Sequence, residues 1–144
     1  MGETSGLVVS EGLREVLLRD ATSVTHEPKG KVLFRKGDEA RGLFLICSGR
    51  VTTELETEKF TIPPRIIGAG AVLGLPSTVA GSPYSLTAEV LDKAELAFIP
   101  REVVLKILST NPELCFEVLQ LLGGEISATR NVIRQIGSDQ ENQA

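Results

Sequence analysis

Four hydroxyl side chains, Ser77, Thr78, Ser82 and Ser85, crowd into the segment Gly74-Leu75-Pro76-Ser77-Thr78 through Gly81-Ser82-Pro83-Tyr84-Ser85. A hydroxyl both donates and accepts, so such a cluster suits a polar ligand. An anion would also need a cation, and residues 66–92 contain neither Lys nor Arg. The chemistry open to this segment is therefore a pocket for a ligand of low charge, or a surface turn. Pro76 suits the first turn of a short helix that ends near Gly81.

Little else in the chain suggests catalysis. His26, in Thr25-His26-Glu27-Pro28, is the only histidine. It would have to serve alone as a base or a haem ligand, and a histidine in a surface loop is the expectation. A metal-dependent jelly-roll enzyme needs two or three histidines from its strands. Cys47 and Cys115 are far apart, with no Cys-x-x-Cys and no Cys/His cluster, so they read as free thiols serving as small apolar groups. No enzyme activity, metal or cofactor is expected.

The elements that must hold the hydroxyl segment follow from patterning. A chain of 144 residues with 42% hydrophobic and 24% charged residues is one ordinary globular domain. Leu7, Val8, Leu13, Val16, Leu17 and Ala21 are spaced for a short amphipathic helix over 7–22, with Ser10 as a possible N-cap. Residues 30–99 read as short strands: 31–35, 43–47, 50–56, 59–62, 65–67, 85–91 and 95–99. Between them lie turn signals at Lys36-Gly37-Asp38, Ser48-Gly49, Pro63-Pro64, Gly68-Ala69-Gly70, Gly81-Ser82-Pro83 and Asp92-Lys93. Strands this short and regular predict a mainly β fold, a double-sheet jelly roll with flanking helices.

Pro100 then opens a helical zone, broken and restarted at Asn111-Pro112. From Glu113 to Gly137, Cys115, Leu119, Leu122, Ile126, Thr129, Ile133 and Ile136 recur alternately four and three apart, which is a heptad seam. Leu114, Val118 and Leu121 add a second apolar face in the first half only. The expectation is a jelly-roll domain over 7–112, a long helix over 113–137 that pairs with a second copy, and a polar tail over 138–144. The net charge of −4 argues against a large phosphate-binding surface. No apolar run is long enough to span a membrane, and the start is neither a signal peptide nor a myristoylation pattern. The reading is a cytoplasmic protein with no membrane partner.

Taken in order, these motifs resemble the cyclic-nucleotide-binding domain of the catabolite-activator and fumarate-nitrate regulator superfamily. Phe34-Arg35-Lys36-Gly37-Asp38-Glu39 is similar to its opening strand and turn. Leu43-Phe44-Leu45-Ile46-Cys47-Ser48-Gly49-Arg50-Val51 resembles its apolar strand and glycine turn. Ile67-Gly68-Ala69-Gly70-Ala71-Val72-Leu73-Gly74 resembles the approach to its phosphate-binding cassette, and Ala94-Glu95-Leu96-Ala97-Phe98-Ile99-Pro100 its last strand. The likeness covers about residues 10–136.

The resemblance implies a ligand-sensing regulatory domain of the double-stranded β-helix type, with a pocket at Gly74, Leu75, Pro76, Ser77, Tyr84 and Ser85. The family holds its cyclic phosphate with an arginine and a hydroxyl, and the ribose with a glutamate. Here Leu75 stands at the glutamate position, and Tyr84 at the arginine position if Ser85 is the hydroxyl residue. Losing a buried charge-assisted pair costs about 2–5 kcal/mol, so weak or no cyclic-nucleotide binding is expected. Thr129 falls near the position from which the family reaches a ligand across the dimer; Leu119, Leu122, Ile126 and Ile133 share its seam. The fumarate-nitrate branch holds iron and sulfur with N-terminal cysteines, which this sequence does not match. Regulators of the family continue from the long helix into a helix-turn-helix domain, whereas this sequence ends seven residues after Gly137, so no direct DNA binding is expected of it. The alternatives are a true cyclic-nucleotide receptor with a non-standard pocket, and the sensory part of a transcription regulator.

Overall fold

The computed structural model describes residues 7–56 and 61–122. The chain order is β1 (Leu7–Val8), α1 (Glu11–Asp20), β2 (Ser23–Glu27), β3 (Val32–Phe34), β4 (Gly42–Glu56), β5 (Thr61–Gly68), β6 (Ala71–Leu73), α2 (Leu75–Ala80), β7 (Thr87–Pro100), α3 (Arg101–Thr110) and α4 (Pro112–Leu121). Strands run β1-β6-β4-β7-β2 across the sheet, with β3 also on β7 and β5 also on β4. Every pairing is antiparallel among the described residues. The fold is the mainly β jelly roll with flanking helices expected from the strand pattern.

The two long strands β4 and β7 divide the core. Side chains alternate along a strand, so directly paired residues share a face. Leu43 opposite Ile99 and Leu45 opposite Ala97 turn toward the helices, whereas Ile46 opposite Leu96 turns into the barrel. On the helical side they meet Leu13 and Leu17 of α1, Val104, Ile107 and Leu108 of α3, and Val118 of α4. The barrel side adds Phe34, Val51, Ile67, Ala71, Leu73, Tyr84, Ala88 and Val90. Each buried Val, Leu, Ile or Phe side chain among them is worth about 1.5–3 kcal/mol.

Several expected turns are corners within longer strands. Ser48-Gly49 and Asp92-Lys93 read as turns, yet they lie opposite one another inside β4 and β7, where the register shifts. Gly49 has φ of 86°, and a Cβ there would sit 2.3 Å from the Lys93 carbonyl oxygen. Only glycine permits both the left-handed backbone and this approach, so both strands bend without breaking. Pro63-Pro64 likewise does not end a strand. It lies within β5 at a register shift against β4. Among the described residues β5 pairs only with β4, and prolines are tolerated on such an edge.

Three further expectations need correction. The first helix spans residues 11–20 rather than 7–22, because Leu7 and Val8 pair with Val72 and Ala71 as a strand. β2 and β6 had no periodic signal: β2 is almost entirely exposed, and β6 is a buried run of three. His26 therefore sits on an edge strand rather than in a loop, and its Nε2 lies 2.8 Å from Glu95 on β7.

The helix boundaries follow their local chemistry. The Ser10 hydroxyl caps α1 by accepting from the Leu13 N–H at 3.2 Å. Asn111 ends α3, its N–H bonding the Ile107 carbonyl, and Pro112 opens α4. A second, long-range cap joins α1 to α4. The Glu117 carboxylate accepts from the Ser10 N–H at 2.8 Å and from the Ser10 hydroxyl. Cys47 and Cys115 are free and half-buried against the helical cluster, and burial pushes both thiols up. No helix among the described residues is long and apolar enough to cross a membrane.

Candidate ligand site

The hydroxyl segment folds as expected from Pro76 and Gly81. α2 is a six-residue helix with Pro76 in its first turn and Gly81 as a left-handed C-cap at φ 74°. The Gly81 and Ser82 N–H groups both donate to the Ser77 carbonyl, at 2.9 and 3.1 Å. The N-cap is Gly74, also left-handed at φ 80°, with no side-chain cap. A Cβ on Gly74 would meet the Tyr84 ring at 2.7 Å, so this glycine is what lets the ring lie against the start of α2.

Tyr84 lies in the barrel, 5% exposed. Its ring stacks on Phe34 with centroids 3.9 Å apart and planes 15° from parallel, an arrangement worth about 0.5–1.5 kcal/mol beyond burial. Its hydroxyl donates to the Gly42 carbonyl. Burial pushes the phenol's ionisation up, opposed by the Gly42 bond and reinforced by the negative Asp38, so it stays a neutral donor. Its backbone is bound to the β3–β4 turn: the Tyr84 N–H donates to the Asp38 carbonyl and the Gly37 N–H to the Tyr84 carbonyl, both at 2.9 Å. Asp38 closes that turn by accepting from the Arg35 N–H at 2.9 Å.

The expected pocket residues do not converge. Gly74 and Tyr84 touch, and Phe34 completes their contact. Leu75 instead joins the helical cluster, beside Leu43, Val79 and Val104. Pro76 is half-buried and Ser77 buried, while Ser85 is exposed. Thr78, one of the four hydroxyl residues of the segment, is fully buried, and its Oγ1 has no hydrogen-bond partner. Arg101 was missed altogether. It is the first residue of α3, and its Nε–H donates to the Thr78 carbonyl at 2.8 Å while its guanidinium packs at Gly81. α2 thus gains a cation from beyond residues 66–92, placed at its C-terminal half, where the Thr78 carbonyl receives it. Nothing in the sequence around α2 signals this partner, which lies 23 positions beyond Thr78.

Of the proposed seam, Cys115 and Leu119 are half-buried and Leu122 is 2% exposed, all packed on the domain's own helical cluster. The exposed apolar side chain of α4 is Phe116, at 62%. Ile126, Thr129, Ile133 and Ile136 lie outside the described residues.

A profile described as the cyclic nucleotide-binding domain matches residues 24–111. The fumarate and nitrate reduction regulatory protein of Escherichia coli strain K12 is 30% identical over 73% of this chain and 42% of its own length. A patatin-like phospholipase domain-containing protein of Caenorhabditis elegans is 32% identical over 69% of this chain, but over only 7% of its own length. The chain thus spans less than half the length of these relatives. In structure, the catabolite activator protein of Thermus thermophilus superposes with a TM-score of 0.64 at 22% identity, covering 94% of this chain and 59% of that one. With the profile spanning both the jelly roll and its cassette, the chain belongs to the cyclic nucleotide-binding domain family.

Proposed function

We propose that this domain is a ligand-sensing regulatory module, not an enzyme, whose cassette no longer grips a cyclic phosphate. The observation that carries the reading is Tyr84. If Ser85 is the family's hydroxyl residue, Tyr84 stands at its arginine position, and there a neutral ring is stacked on Phe34 and tied to the Gly42 carbonyl. Two others support it. Leu75 faces the helical cluster, so no carboxylate reaches a ribose from there. Arg101 is engaged by the Thr78 carbonyl at the far end of α2. Thr78 Oγ1, buried and without a partner, is one hydroxyl of the segment left unsatisfied; Ser77, Ser82 and Ser85 carry the others.

Arg101 also supplies the mechanical link. A shift of α2 pulls on the Thr78 carbonyl, and through Arg101 on α3 and α4. The output of such a module is a changed position of the long C-terminal helix, paired with a second copy. The likeness to a fumarate and nitrate reduction regulatory protein supports a role as the sensory part of a regulator.

Calorimetric titration with cyclic AMP and cyclic GMP tests the cassette. No saturable binding is expected below about 1 mM. Submillimolar binding of either nucleotide would restore the reading of a true cyclic-nucleotide receptor.

A further inference from the structure

Beside the cassette, β4 and β7 carry Phe44 and Phe98 at directly paired positions. Their rings meet at 54° with centroids 5.1 Å apart. Phe34 lies 6.0 Å from Phe44, and Tyr84 stacks on Phe34. With Leu33 these rings line a groove of about 430 Å³. Four of the chain's six aromatic residues therefore gather at one opening. Phe34 and Tyr84 are buried, whereas Phe44 and Phe98 are half-buried and keep surface for a ligand.

The rim is formed by Asp38, Glu39 and Arg41. Glu39 and Arg41 pair at 3.3 Å, but the two side chains are 79% and 81% exposed, so water largely screens that pair. Asp38 adds a second carboxylate, so the groove's own lining carries two carboxylates and one guanidinium. Aromatic faces also carry partial negative charge. Walls and rim thus favour the same kind of occupant. An anion is opposed by both, and a neutral apolar molecule gains from the walls alone.

We propose that this groove binds a free small organic cation of the quaternary-ammonium class. Its alkyl-clad charge rests on the faces of Phe44 and Phe98, within the field of Asp38 and Glu39. The volume suits a ligand of that size, near the lower end of small-molecule sites at about 300–1,000 Å³. The groove shares Phe34 and Tyr84 with the expected phosphate position and extends from there to Phe44 and Phe98; the proposal rests on the reading of Tyr84 as a neutral ring in place of an arginine.

The test is an NMR titration of the whole chain with choline and, in parallel, with its neutral carbon isostere 3,3-dimethylbutan-1-ol. Choline should saturate, shift the signals of Phe44 and Phe98, and bind about fivefold more tightly than the isostere. Phe98→Leu keeps apolar volume but removes a ring face, and should weaken choline about fivefold. Glu39→Gln, at an exposed site that does not threaten folding, should weaken choline at low salt, with the difference fading as ionic strength rises. Equal affinity for the two compounds would overturn the proposal, as would a binding isotherm indifferent to Glu39→Gln. Tighter binding of a trimethyllysine peptide or of phosphatidylcholine vesicles than of choline would overturn the assignment to a free small molecule. Cyclic-nucleotide binding would count against the cassette reading; the choline titration is run without nucleotide, so failure of either reading is seen separately.

Discussion

Tyr84 does two jobs with one side chain: its ring fills the barrel against Phe34, and its hydroxyl satisfies the Gly42 carbonyl. Tyr84→Phe keeps the first and deletes the second, stranding an acceptor. It should lower stability by about 1–3 kcal/mol, read as a shift in urea midpoint at constant slope. An unchanged midpoint would mean the carbonyl finds another donor. The identity of this residue was legible in the sequence, and so was the short helix set by Gly74, Pro76 and Gly81. The direction of each side chain was not. Leu75 and Tyr84 are close in sequence, yet one enters the helical cluster and the other the barrel. Arg101 escaped notice for a related reason, since its partner Thr78 lies 23 positions earlier in the chain. Sequence spacing carries information about neighbours along one element and very little about which element will lie opposite.

Among the elements, α1 rests on a cap that is only partly local. Ser10 accepts from Leu13 in the ordinary way, but the carboxylate that a capping box takes from the same helix comes here from Glu117 of α4. Ser10→Ala should cost about 1 kcal/mol. A double-mutant cycle with Glu117→Ala should return a coupling of about 0.5–3 kcal/mol, as for residues sharing one hydrogen-bond network. Additive losses in chemical denaturation would show that the contact does not hold in solution. Ser10 was recognisable as an N-cap from its place before an apolar helical pattern, whereas its distant partner was not. The strands divide similarly. Alternation marked Val32 and Phe34, and the second half of β4, because one face is buried. It was silent on β2, which is exposed, and on β6, where three consecutive residues are buried. Glycine at position 49 was read as a turn because turns and strand corners need the same left-handed backbone.

At the scale of the molecule, the helices form one layer on the outer face of β4 and β7, and α4 presents Phe116 to its surroundings. If the module signals by pairing through α4, that ring belongs to the contact. Phe116→Glu should then shift sedimentation toward the monomer while changing unfolding free energy by no more than about 0.5 kcal/mol, as at other exposed positions. Unaltered sedimentation in the variant would remove Phe116 from the interface. The bond between Ser10 and Glu117 has a consequence at this scale too. The two residues are 107 positions apart. On the ribosome, the first helix has its own serine almost at once but must wait for more than a hundred further residues before its carboxylate partner is made. Strand β2 must wait similarly for β7. A nascent chain of this domain therefore emerges with its opening elements unfinished, and folding must be completed late in synthesis or after release.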